Sequence, residues 1–283
     1  ESTVLDVVCN GEKQTFKIST QHNYIKATDN HKIPIYDYVN NLFKEKFVSE
    51  LKIGDGLIIN NYDNYNELIK INKAVEIKEH KNRIYDDFVD DLKYIPDFVD
   101  ENFAKLFGFL LGDGGVNETR PYMVYFAYGV HETINKKYIQ LLENFSNKKI
   151  YLRKNKNYEN GIASAVVNSK SLATILKNME FVGNSRTKRI PKWLFSSSTN
   201  IRKAFLEGIV DSDGGVSIDK WNCKRFQIEM ANYSLINDIK LLAQSLGYKT
   251  GGINKRKKRD NIIINGIQVI NAAYSFVKYF YES

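Results

Sequence analysis

An α+β architecture is predicted for this chain: a β-rich N-terminal module, then a pseudo-two-fold pair of αββαββα repeats. Three observations carry it. A nine-residue pattern occurs twice, at residues 106–114 and again at 206–214. Residues 3–60 show no helical period. After each copy of the pattern, segments of strand and helix character follow in the same order.

In the N-terminal module, Val4, Leu5, Val7 and Val8 precede a turn at Asn10-Gly11, and Phe16 and Ile18 follow in alternation. Alternation around a turn dipeptide predicts short strands, with Cys9 inside the first of them. Residues 25–34 and 47–56 continue the β-rich reading. The module is taken as residues 1–75 and an acidic connector as 76–100, with Asp86-Asp87 and Asp90-Asp91 in it. Pro96 sets a boundary before the first repeat. The repeats then span 101–190 and 191–283.

The two copies read Leu106-Phe107-Gly108-Phe109-Leu110-Leu111-Gly112-Asp113-Gly114 and Leu206-Glu207-Gly208-Ile209-Val210-Asp211-Ser212-Asp213-Gly214. Each is expected to be a buried helix ending in a carboxylate. Gly108 and Gly208 fall in mid-helix, where glycine costs about 1 kcal/mol relative to alanine. That cost makes sense where a second helix comes very close, so the two helices are expected to pack along a seam of small residues, Gly112 and Ser212 included. Gly114 and Gly214 turn the chain out of each helix. Parallel packing then brings Asp113 and Asp213 together at the negative end of two helix dipoles. Like charges at that range require a proton or a cation, and a hard divalent ion, Mg²⁺ above all, is the natural partner.

Behind the first copy, a strand is expected near 121–128, a helix near 133–145, strands near 149–154 and 161–167, and a helix near 171–179. Behind the second, a strand is expected near 226–231 and a helix at 235–246, capped by Ser234 and ended by Gly247. Strands near 248–254 and 262–269 and a helix near 272–280 complete it. Helices behind two antiparallel sheets would make a curved saddle.

Charge is divided unevenly. The whole chain carries +8 at pH 7 with His neutral. Residues 1–100 hold 13 basic and 18 acidic side chains, the remaining 183 hold 28 and 15, so the repeats carry the positive charge. A polyanion partner is expected there, nucleic acid first, and double-stranded DNA would lie on the sheet face. Candidate contacts are Arg153, Lys154, Lys156, Arg225, Lys255, Arg256, Lys257, Lys258 and Arg259. The run 255–259 is expected on a hairpin between strands, touching phosphates, or else serving as a localisation signal or a solvated loop. Cys9 and Cys223 match no metal spacing and are expected to be thiols in a reducing compartment. No apolar run approaches the roughly 18–20 residues of a membrane span. A soluble intracellular monomer is expected, nuclear if eukaryotic.

The second copy resembles the LAGLIDADG dodecapeptide, and the two-copy arrangement is similar to a monomeric homing endonuclease. The resemblance implies a metal-dependent endonuclease that cuts both strands at a long, non-palindromic site, across the minor groove. It implies that Asp113 and Asp213, at the eighth position of each motif, bind Mg²⁺, with Mn²⁺ able to substitute. The backbone carbonyls of Gly112 and Ser212 would complete the shell. Asp211, at the sixth position, is matched by Leu111 and is assigned no metal. Lys188, just ahead of Ile190-Pro191, resembles the lysine of intein endonucleases that assists the reaction, and no second lysine follows at the same repeat spacing. A non-cleaving DNA- or RNA-binding relative, regulator or maturase, is the rival reading.

The N-terminal stretch resembles the splicing (Hint) domain of inteins. Thr28 and His31 look like its Thr-x-x-His block, and Glu50-Leu51-Lys52-Ile53-Gly54-Asp55 looks like the strand that follows. Inteins begin with Cys or Ser and end in His-Asn; this chain opens Glu1-Ser2-Thr3 and closes Tyr281-Glu282-Ser283. As written it is not expected to splice: its ends are trimmed, or the module is a relic.

Overall fold

The structure, a computed structural model, describes residues 9, 11–20, 24–58, 66–74, 91–117, 119–120, 122–129, 133–154, 163–218, 224–248, 250, 253–257 and 265–270. The chain divides into two compact units, Glu1–Asn61 and Tyr62–Ser283. The architecture is mixed α+β with small antiparallel sheets.

In the first unit, β1 (Phe16–Ser19) and β2 (Tyr24–Ala27) pair as a hairpin. Strands β3 (Lys32–Asp37), β4 (Leu42–Phe47) and β5 (Gly56–Leu57) form a sheet in the order β4-β3-β5. The alternation in Lys32-Ile33-Pro34-Ile35 places Ile33 and Ile35 on one side, where Val48 closes a small core. Cys9 is exposed and lies outside any strand, contrary to the expectation from its apolar neighbours.

In the second unit, residues 66–74 and 91–100 are tied to each other through Ile71 N–H to Asp97 O (2.8 Å) and Val99 N–H to Ile69 O (2.8 Å). Ile71, Ile95 and Val99 are buried in the main core. The chain then enters α1 (Glu101–Asp113), whose first turn is capped by the Asp100 carboxylate accepting from Phe103 N–H at 2.7 Å. Strands β6 (Gly114–Val116) and β7 (Met123–Tyr128), helix α2 (Ile134–Ser146), strands β8 (Tyr151–Lys154) and β9 (Ala163–Asn168) and helix α3 (Lys170–Asn178) follow.

A short helix α4 (Trp193–Ser196) leads to α5 (Thr199–Asp213), capped by Ser198. Then come β10 (Gly214–Ile218), β11 (Lys224–Met230), α6 (Tyr233–Ser245), β12 (Ile253–Lys257) and β13 (Asn265–Ile270). The two four-stranded sheets have the same order, β6-β7-β9-β8 and β10-β11-β13-β12, all antiparallel.

Several expectations are adjusted. Strands β6 and β10 were not anticipated, because Gly-Gly-Val after each Asp reads as turn rather than strand. Gly114 and Gly214 end their helices in extended conformation (φ −112° and −86°), not left-handed. They are glycine for want of space: a Cβ on Gly114 would lie 2.8 Å from both Leu110 Cα and Tyr125 O. Asn232, not Ser234, caps α6, accepting from Leu235 N–H at 3.1 Å, while Gly247 follows its end at φ +82°. Lys255, Arg256 and Lys257 lie on β12, paired antiparallel with β13. Lys156, Lys258, Arg259, Cys223 and the helix expected at 272–280 fall outside the described residues. Among the described residues no helix is long and apolar enough to cross a membrane.

Candidate active site at the paired motif helices

Helices α1 and α5 run parallel with their backbones in contact. A Cβ on Gly108 would overlap the Phe205 carbonyl oxygen and lie 3.3 Å from Ile209 N. One on Gly208 would overlap the Lys105 carbonyl oxygen and lie 2.7 Å from Phe109 N. The two mid-helix glycines are what permits this approach. Phe107, Phe205, Phe181 and Trp193 pack around the seam, with Phe107 5.2 Å from Phe181 and 5.6 Å from Trp193 between ring centres. Lys105 and Glu207 bridge its outer edge at 2.6 Å.

The C-terminal ends of the two helices meet at Gly112. The space a Cβ on Gly112 would fill is taken by Ser212 Oγ and Asp213 Oδ2. Asp213 therefore lies against the residue that precedes Asp113. Burial pushes the Asp213 carboxyl up to about 6, opposed by the Lys188 ammonium and the Ser212 hydroxyl.

Lys188 completes the cluster. It is only 4 % exposed, and its Nζ donates to the carbonyls of Leu110 (3.2 Å), Leu111 (3.0 Å) and Gly114 (2.6 Å) at the end of α1. Phe181 presents its ring 5.3 Å away. A cation at the negative end of a helix is favourably placed. Burial pulls the Lys188 amine down to about 8, opposed by Asp213 and then Asp113.

The segment bearing this lysine hangs on α6. Asn232 Nδ2 donates to Lys188 O at 2.7 Å, and the Arg189 guanidinium grips the Asp238 carboxylate through two bonds of 2.6 and 2.7 Å. Ile190 N–H also reaches Asp238, at 3.4 Å. None of these partners was singled out from the sequence. The signal that could have found them is an acidic residue on the apolar side of a predicted helix.

Asp211 also has a place. Its Oδ2 accepts from the Tyr138 hydroxyl at 2.5 Å and faces Lys137 Nζ at 3.4 Å, both on α2 of the first repeat. Burial, and then Asp211 itself, push the Tyr138 hydroxyl above its usual range, so it remains a donor. The matching position in α1, Leu111, is buried in the core.

Of the basic candidates, Arg153 and Lys154 lie on edge strand β8. Register pairs Leu152 with Ala165, and Ala165 with Phe126, both wholly buried on the helix side of the sheet. Strand alternation then puts Arg153 on the opposite, open face with Tyr151 and Tyr125, and Lys154 on the helix side. Lys255 and Arg256 lie on β12, in register with Ile267 and Gly266 of β13, and Arg225 on β11 pairs with Ser217. Thr28 and His31 bracket the turn between β2 and β3, with His31 N–H donating to Thr28 O at 3.1 Å, and the His31 side chain is exposed.

The donor set at the helix ends is all oxygen, the chemistry of a hard divalent cation. The notch over Gly112 seats one carboxylate beside the other motif's end, and burial raises that carboxyl, which a cation would reverse. The residues present therefore fit such an ion. Among the described residues no group of three or more His, Cys, Asp or Glu forms a metal cage. The pair would leave much of the shell to backbone carbonyls, water and substrate oxygens.

The family model described as homing endonuclease matches residues 189–271, so this part of the chain is similar to that family. The chain is 30% identical over 158 residues to an uncharacterized protein of Methanocaldococcus jannaschii, covering 53% of this chain and 17% of that protein. Against the replication factor C small subunit of the same organism it is 28% identical, covering 83% of this chain and 12% of the relative. The chain thus spans a small part of the curated relatives it matches. The crystal structure of I-DmoI in complex with DNA and Mn superposes with a TM-score of 0.44 at 19% identity, covering 65% of this chain and 97% of that one.

Proposed function

We propose that the chain is a site-specific double-strand DNA endonuclease, dependent on a divalent metal and directed to a long non-palindromic site. The observation that carries this reading is the seating of the Asp213 carboxylate in the notch of Gly112, beside Asp113, with the Lys188 amine at the same helix end. The two repeats are related by a pseudo-two-fold axis, and their sheets together form a saddle for the duplex. Arg153 and its neighbours on the open face contact DNA there, while net positive charge draws the backbone in.

Asp113 and Asp213, with the carbonyls of Gly112 and Ser212, would hold Mg²⁺ or Mn²⁺. When bound, the metal polarises the scissile phosphate and lowers the pKa of water. The chain's own residues do the rest. The paired carboxylates sit at the meeting point of the repeats, so each half serves one strand. Lys188 Nζ, fixed by three carbonyls, presents positive charge to a developing anion. With its pKa near 8 it also exchanges a proton close to neutral pH.

The N-terminal unit, with Thr28 and His31, is read as a partial splicing-type module. The short share of each curated relative that the chain covers supports an element carried inside longer proteins. Restoring flanking residues and looking for ligated flanks tests that part.

The endonuclease reading is tested by incubating the chain with a randomised duplex library and Mg²⁺, then sequencing the cut ends. A discrete site cut by the native chain and left intact by Asp113→Asn and Asp213→Asn is the expected result. DNA bound but left whole in both Mg²⁺ and Mn²⁺ would establish a non-cleaving binder instead.

A further inference from the structure

We propose that Tyr138 and Asp211 form a positioning latch between the repeats, one that holds the second motif helix at the rotation its catalytic carboxylate requires. The inference rests on the endonuclease reading of Asp113 and Asp213.

The argument begins with helix geometry. Residues two apart on an α-helix are separated by about 200° around its axis. Asp211 and Asp213 therefore leave α5 on nearly opposite sides. Asp213 faces Gly112 on α1, and Asp211 faces away, toward α2. A tether on the Asp211 side resists the roll of α5 that would lift Asp213 out of its notch.

The tether is anchored at its far end. Tyr138 is wholly buried, and its ring stacks on Phe109 of α1 with centroids 3.6 Å apart and planes 8° from parallel. Phe109 in turn packs edge-on against Phe126 of β7 at 5.1 Å. The hydroxyl that reaches Asp211 is thus fixed to the first motif helix and the first sheet. The bond therefore sets α5 relative to α1. Lys137, on the same turn of α2, adds a second, looser contact at 3.4 Å.

Among the described residues the first motif shows no such device. Leu111 occupies the corresponding position and is held by the core. The end of α5 lies nearer the surface, with Val210, Asp211, Ser212 and Asp213 all half-buried. A charge-assisted hydrogen bond supplies there the angular restraint that packing supplies to α1.

The test uses the full chain and two conservative variants, Tyr138→Phe and Asp211→Asn. Tyr138→Phe keeps the stacked ring and loses only the hydroxyl. Mn²⁺ binding is read by electron paramagnetic resonance, and nicking of each strand of the selected site is timed separately. Both variants are expected to keep the native circular dichroism spectrum and DNA affinity. Both should bind Mn²⁺ at least about fivefold more weakly, and cut one strand about tenfold or more slowly than the other. The double variant should be no worse than either single one.

Native Mn²⁺ affinity and unchanged rates on both strands in Tyr138→Phe would overturn the latch while leaving the endonuclease reading intact. A lower melting temperature with unaltered Mn²⁺ affinity would also overturn it, since a purely structural bond moves stability alone. If the native chain neither binds Mn²⁺ nor cuts DNA, the endonuclease reading falls first and takes the latch with it.

Discussion

The ends of α1 and α5 derive from one repeated pattern, yet different forces hold them. The end of α1 is neutral at its sixth position, where Leu111 is buried, and its last carbonyls are covered by the Lys188 amine. The end of α5 carries Asp211, tied to Tyr138 and Lys137, and Ser212, whose hydroxyl donates to Ile209 O at 3.0 Å. Backbone topology is duplicated while electrostatics is not. The two halves can thus diverge everywhere except at the seam, where a single Cβ would push them apart.

The contrast can be tested from the carboxylates outward. Asp113→Asn and Asp213→Asn are each expected to slow double-strand cleavage by about 10³-fold. If the halves are chemically distinct, separate strand assays will show the residual nicks on different strands. Lys188→Met removes a cation whose hydrogen bonds all go to the end of the first motif helix. A loss of about 10²-fold is expected, concentrated on one strand, with the upper limb of the native pH–rate profile falling near pH 8. Equal slowing of both strands would show that the lysine serves both ends.

Stability gives the next test. Gly108→Ala forces a Cβ onto the Phe205 carbonyl, and a fall in melting temperature of about 5–10 °C is expected by calorimetry. Gly208→Ala, meeting the Lys105 carbonyl, should match it, because here the halves are alike.

The Asp213 carboxyl makes a pH-dependent contribution of known sign. Its pKa in the folded chain, about 6, stands above the ordinary 3.8, so the folded state holds this proton more tightly than the unfolded one. The stabilisation is full below pH 4 and is lost as pH rises through 6. The metal-free chain should therefore melt at a lower temperature at pH 7 than at pH 5 through this group. Ca²⁺ should offset the loss, and Asp213→Asn should flatten the trend. The smallest effect concerns the first sheet: Arg153→Ala should weaken DNA binding about three- to tenfold and reduce the salt slope by about 1, and Lys154→Ala should change it less.

Much of this was legible in the chain itself. The glycine seam was readable because Gly in mid-helix is costly unless something needs the room. The two helix ends and the position of α2 within a residue were readable from period alone. Strands β6 and β10 were hidden, since Gly-Gly-Val carries too little side chain to show alternation. The cap of α6 slipped by two residues because both Asn232 and Ser234 are good caps, and only the backbone path chooses between them.

Sequence alone determined the duplication, the carboxylate closing each motif helix and the concentration of positive charge in the repeats. These are local or compositional properties, set by backbone hydrogen bonding, side-chain period and charge count. Tertiary structure decided which groups meet across the chain: the Lys188 amine on the carbonyls of α1, Asp238 on Arg189, and Asp211 on Tyr138, 73 positions away. Such pairs depend on how closely two helices approach and at what rotation, and packing sets both quantities long after the local pattern has been read.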